Sequence, residues 1–165
     1  MTAGGSSIPE VRRLLAVLAA GKRAAEIGTA SGLGAEALAS TAREVVTVEL
    51  DPERAREAQE RLGGLPNVEL LVGDWAELLP PRGPFELLFM DGGGYRFDLD
   101  AAVRMLELVA PGGLAVADDM TPGYGPDPVR DLFFGHPEFV TVEILTTPES
   151  AALLASRVAT DGSGT

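Results

Sequence analysis

Apolar positions along the chain follow two alternating rhythms, one continuous or of period two and one near 3.6. "PEVRRLLAVLAA" sets Val11, Leu14, Leu15 and Leu18 at helical spacing, with Pro9 in the first turn and Gly21 as a stop. "RAAEIG" then reads as a short strand, and a helix is predicted from about 35 to 42. "EVVTVEL" is β-branched and apolar on both faces, as a central parallel strand requires. "DPERAREAQERLGG" is a helix marked at both ends: Asp51 caps it, Pro52 opens it and Gly63 lies just past its end. "VELLVG" and "FELLFMDG" follow as strands three and four, "LDAAVRMLELVAPGG" as a helix with its stop, and "LAVADD" as strand five. After a short helix near 128–134, "FVTVEILTT" and "SAALLASRVA" are separated only by "PE", a connection that suits antiparallel neighbours alone.

Strands alternating with helices predict an α/β, doubly wound, mostly parallel sheet of Rossmann-like type, ending in an antiparallel hairpin at its last edge. At 165 residues the whole chain, 1–165, is expected to form one domain, with residues 1–7 and 162–165 frayed. Apolar residues make up 45% of it, well above the range of disordered chains. The net charge of -12 and the absence of a basic patch disfavour nucleic acid as a partner. With no cysteine there are no disulfides, thiolate metal sites or Cys nucleophile. Apolar runs are too short to span a bilayer, and "MTAGGSSIPEVRR" lacks the order of a signal peptide. The expectation is a cytoplasmic protein without membrane partners, whose edge strands leave room for a homodimer.

Gly28, Gly32 and Gly34 follow the first strand and precede a helix, where bare backbone and a helix N-terminus can face a ligand. The spacing is G-x-x-x-G-x-G, not the G-x-G-x-x-G of a dinucleotide site. Glu26, just ahead of the loop, would oppose a pyrophosphate but suits a ligand bearing an ammonium group. Both points argue against NAD. Twenty-one positions past Gly28, Glu49 ends the second strand, where a carboxylate can accept hydrogen bonds from both hydroxyls of a ribose. Asp91 ends the fourth strand and Asp118 with Asp119 ends the fifth, so all three are expected on the edge that carries the glycine loop. Three crowded carboxylates repel unless protons or a hard cation such as Mg²⁺ intervene.

"EIGTASGLG", "TVELDPERA", "GDW", "FMDG" and "APGGLAVADD" occur in the order of the S-adenosylmethionine-dependent methyltransferases. Over about residues 8–158 the chain resembles the class I enzymes, and among them the cation-dependent catechol and caffeoyl-CoA type O-methyltransferases. The resemblance implies that Glu26, Gly28 and Gly32 line the methionine and ribose part of the cofactor, that Glu49 holds the ribose, and that Asp74 and Trp75 lie beside adenine. It places Asp91 with both the cofactor-binding and the catalytic residues, and matches Asp91, Asp118 and Asp119 to three metal-ligand positions, the last usually Asn. The function it implies is methyl transfer to a small hydroxylated acceptor with Mg²⁺. A metal-independent methyltransferase and a noncatalytic S-adenosylmethionine-binding protein are the alternatives.

Two departures stand out. The family often has a Lys three residues after the first metal aspartate, a proposed general base; here that position is Gly94, with Tyr95 and Arg96 following. Family members also carry additional N-terminal helices, whereas this sequence starts just ahead of the first core helix. An open site of this kind would admit bulky acceptors or need a partner to close it. "TPGYGPDP", residues 121–128, is expected as a loop over the mouth, and the lone His136 as surface punctuation.

Overall fold

The computed structural model describes residues 7–123 and 125–158. Its sheet has seven strands: β1 Arg23–Ile27, β2 Glu44–Glu49, β3 Val68–Val72, β4 Phe85–Met90, β5 Val109–Met120, β6 Phe139–Thr147 and β7 Ser150–Arg157. They lie in the order β3-β2-β1-β4-β5-β7-β6, parallel except for β7, which runs antiparallel to both neighbours. The expected hairpin therefore does not simply extend the edge. Its second strand inserts between β5 and β6, and β6 becomes the edge.

Strand residues alternate between the two faces of the sheet. Ala24, Val45, Leu87 and Phe89 pack with Val11 and Leu15 of α1 (Pro9–Leu18), Leu38 of α2 (Leu33–Ala39) and Ala58 and Leu62 of α3 (Pro52–Leu62). Ile27, Val48, Leu88 and Met90 face the other way, toward Trp75 of α4 (Trp75–Leu78), Met105 of α5 (Leu99–Leu106) and Phe133 of α6 (Pro128–Gly135). Three layers result. Among the described residues, no helix is long and apolar enough to cross a membrane.

Local chemistry sets several boundaries. Asp51 accepts hydrogen bonds from the backbone N–H of Glu53 (2.8 Å) and Arg54 (3.5 Å), as its capping role requires. Asp98 and Asp127 cap α5 and α6 in the same way. Other boundaries differ from the sequence reading. The helix expected through "LVAPGG" stops at Leu106, because Val109 already pairs with Phe85 in β5. Gly63 ends α3 with right-handed backbone, so its missing side chain is not what stops the helix. Ser7, expected to fray, is buried, and its hydroxyl donates to Asp91 Oδ2 at 3.4 Å. Residues 162–165 lie outside the described residues.

Candidate active site

The carboxyl ends of β1, β2 and β4 open onto a cavity of about 530 Å³. Gly28 and Ala30 line it from the loop after β1, Glu49 and Leu50 from the end of β2, Asp74 and Trp75 from the start of α4, and Asp91 to Gly94 from the turn after β4. This is the switch point of the sheet, where β1 is flanked by β2 and β4 and the connections leave in opposite directions.

Glu49 forms the most developed anchor. It is only 7% exposed, and each carboxylate oxygen accepts from the backbone: Oε2 from Ala30 N–H at 2.8 Å and Oε1 from Asp51 N–H at 3.1 Å. These contacts fix the carboxylate while leaving lone pairs for a ligand's hydroxyls. Ala30 adopts left-handed backbone (φ 48°) in making its contact. Gly28, at φ 94°, sits so close to β4 that a Cβ there would meet the carbonyl carbon of Asp91 at 3.1 Å. Trp75 is buried, and its indole N–H donates to the carbonyl of Gly93 at 3.2 Å. Asp74 lines the same wall while capping α4 through Ala76 N–H at 2.9 Å.

Glu26 and Gly32, expected to line the methionine and ribose part of the cofactor, are not among the residues lining this cavity. Glu26 is 1% exposed beneath the loop, where the Thr47 hydroxyl donates to its Oε2 at 2.6 Å and shares a further hydrogen bond of 2.6 Å with Thr29. Burial holds the Glu26 carboxyl well above the usual carboxylate range; the Thr47 hydrogen bond opposes this, and the charges of Asp91 and Glu49 add to it. Its second oxygen abuts Gly34. A Cβ at Gly34 would overlap that oxygen, so Gly34→Ala is expected to cost about 1–3 kcal/mol. Thermal melts would check this, with the Glu26→Ala background expected to relieve part of the loss. Gly32 instead starts α2 with φ 85° and packs against Leu62.

The three aspartates are brought to one edge, where the charges of Asp118 and Asp119 act on Asp91. Among the described residues no group of three or more His, Cys, Asp or Glu side chains is placed to hold a metal ion. The register of β5 with β7 shifts between Ala117 and Met120. At this bulge Asp118 is buried at 6% exposure, while Asp119 takes left-handed backbone (φ 60°) and is exposed. Asp91 and Asp119 line the cavity; Asp118 does not. Burial first, and then the charges of Asp118 and Asp119, raise the Asp91 carboxyl to about 8. Burial raises Asp118 to about 6.

Beside the missing family Lys, neither neighbour offers a base. The Tyr95 hydroxyl is buried, donates to the Asp118 carbonyl at 2.7 Å, and is pushed further up by burial. Arg96 pairs with Asp127 at 3.3 Å. Leu50, Arg54 and Gly93 line the cavity without having been singled out in the sequence. For Gly93 the run "GGGY" after a strand was the available signal. Nothing in the sequence marked Leu50 or Arg54. Within the loop 121–128, Tyr124 lies outside the described residues. His136 sits in a turn, where its Nδ1 accepts from Glu138 N–H at 3.2 Å.

A family model described as a methyltransferase domain matches residues 25–120, from the middle of β1 to the end of β5. The chain belongs to the methyltransferase-domain family. The matched segment carries every lining residue of the cavity. A protein-L-isoaspartate O-methyltransferase of Methanoculleus marisnigri is 34% identical to this methyltransferase-domain protein over 103 residues, 59% of the chain and 47% of the relative. An rRNA adenine N-6-methyltransferase of Saccharopolyspora erythraea is 40% identical over 86 residues, 52% of the chain and 22% of the relative. The chain thus spans about half the length of the first of these relatives and less of the second. Among solved structures, the O-methyltransferase TomG of Streptomyces achromogenes, in complex with SAM, shares the fold with a TM-score of 0.72 at 24% identity, over 96% of this chain and 84% of that one.

Proposed function

We propose that this methyltransferase-domain protein transfers the methyl group of S-adenosylmethionine to an oxygen of a small acceptor, without a metal ion. The observation that carries the reading is Glu49, a buried carboxylate fixed by two backbone donors on the wall of a cavity that also presents an indole. A ribose diol fits such a carboxylate, and a purine fits an indole face bordered by Leu50 and Asp74. S-adenosylmethionine, when bound, supplies an activated methyl on a sulfonium.

Asp91 lines both this cavity and an adjoining one of about 180 Å³, which it shares with Gly92, Gly94 and Asp119. The smaller space suits a small acceptor, and Phe97 offers it an exposed ring. The charge of -12 supports a small molecule over RNA. In its ionised form the Asp91 carboxylate takes the proton of an acceptor hydroxyl held between the two spaces. A carboxyl poised near 8 is well matched to that task at mildly alkaline pH.

Calorimetry with S-adenosylhomocysteine and methyl-transfer assays over a panel of phenols test the reading. Turnover with EDTA within about twofold of the untreated rate is expected; abolition by EDTA would restore the metal-dependent mechanism. kcat/KM should rise with pH toward about 8 as Asp91 ionises, and Asp91→Asn should lower kcat by about a hundredfold. The same variant should be more stable than the parent at pH 8. Below the ordinary carboxyl value both folded and unfolded chains keep the proton, so Asp91 costs nothing there. From about pH 4 the unfolded chain releases it first, and the penalty grows until about pH 8. A melting temperature for Asp91→Asn that does not exceed the parent's across this range would contradict the assignment.

A further inference from the structure

Trp75 borders two spaces. Besides the cavity already described, a second cavity of about 480 Å³ shares Trp75 and is lined by Pro80, Pro84, Leu108, Pro111, Arg104 and Arg157, with Glu107 also at its wall. The Arg104 guanidinium sits 5.3 Å from the indole centroid, and among the described residues it pairs with no carboxylate. Arg157 is already engaged, donating to the Val109 carbonyl at 2.7 Å and to Glu138 at 3.2 Å. With Arg157 neutralised by Glu138, Arg104 is the guanidinium at this cavity that forms no ion pair among the described residues. Beside Trp75, the cavity's remaining walls are Pro80, Gly83, Pro84, Leu108, Val109 and Pro111.

We propose that this cavity is a second ligand site, for a singly charged carboxylate on an apolar ring, coupled to the first cavity through Trp75. The guanidinium fork of Arg104 matches a carboxylate's two oxygens, and the proline walls match a flat apolar body. Glu107 discriminates against higher negative charge. Coupling follows from what the indole touches. An oxyanion that draws Arg104 off one side of the ring removes a cation–π contact there. The indole N–H meanwhile holds Gly93, whose backbone lines the first cavity and is packed so tightly that a Cβ would lie 2.8 Å from Trp75 Cδ1. The site itself stands without the cofactor reading; only the coupling rests on it.

Trp75 is the single tryptophan of the chain, so its fluorescence reports both spaces. Sodium benzoate is the probe, with benzyl alcohol as the uncharged match and inorganic phosphate as the charge without a ring. Benzoate should give a saturable change in the millimolar range in the absence of any nucleoside, with calorimetry as the second readout. Benzyl alcohol, phosphate, and benzoate with the exposed-position variant Arg104→Gln should each bind at least about tenfold more weakly. No saturable benzoate binding by either readout up to about 10 mM, or equal binding by folded Arg104→Gln, overturns the site. With benzoate saturating, the affinity for S-adenosylhomocysteine should change by about fivefold, and benzoate affinity should change by the same factor when the nucleoside saturates. Benzoate binding that depends on Arg104 but leaves nucleoside affinity unchanged overturns the coupling; failure of the nucleoside to bind at all overturns the cofactor reading instead.

Discussion

Glu49→Ala should weaken S-adenosylhomocysteine binding by about a hundredfold, the largest loss expected from any single side chain in the cavity. The replacement removes a charged acceptor from the ribose hydroxyls, and hydrogen bonds to charged groups contribute about 1.5–3 kcal/mol each. It also strands the N–H of Ala30 and Asp51, which hold the loop and the start of α3 in place. Glu49→Gln keeps an acceptor oxygen and the shape, so its loss should be closer to tenfold. Calorimetric titration of the three proteins decides the matter. If Glu49→Ala bound the nucleoside within about threefold of the parent, the carboxylate would have no part in holding it.

Gly93→Ala should destabilise the fold by about 2–4 kcal/mol and remove nucleoside binding together with it. At φ 74° an alanine is strained, and its Cβ would lie 2.7 Å from Ile27 Cγ2, 2.7 Å from Met105 Cε and 2.8 Å from Trp75 Cδ1. The methionine end can swing away. The isoleucine, on a central strand, and the indole, hydrogen-bonded to Gly93 itself, have less freedom. The neighbouring Gly94→Ala is the control, because its φ of 83° carries the same backbone strain with nothing within 4 Å. It should cost only about 1–2 kcal/mol. Urea unfolding of both variants separates crowding from strain, and equal losses would show that the packing around Gly93 is not critical.

The order of strands and helices was legible because each element carries its own signal: β-branched runs for β2, proline and aspartate for the start of α3. Asp51 as a cap followed from side-chain length alone. Glu49 was legible for a related reason, since topology fixes where the end of a second parallel strand must lie. Which way a side chain faces near a strand end was not legible. Glu26 and Ile27 are adjacent in sequence, yet one is sealed under the loop and the other lines the cavity. The aspartates illustrate the same point: a shared edge was deduced for Asp91, Asp118 and Asp119, but the bulge that divides Asp118 from Asp119 leaves no mark in "VADDM". The insertion of β7 was hidden too, because a two-residue turn fixes which strands pair and not where the pair docks.

That insertion bears on how the protein is made. A nascent chain emerging only as far as Thr147 would hold β6 with no neighbour in the sheet, since β5 meets β7 and not β6. The ribosome must deliver the final strand, through Arg157, before the sheet can close, and until then β5 presents an open flank that a chaperone or a second nascent copy could occupy.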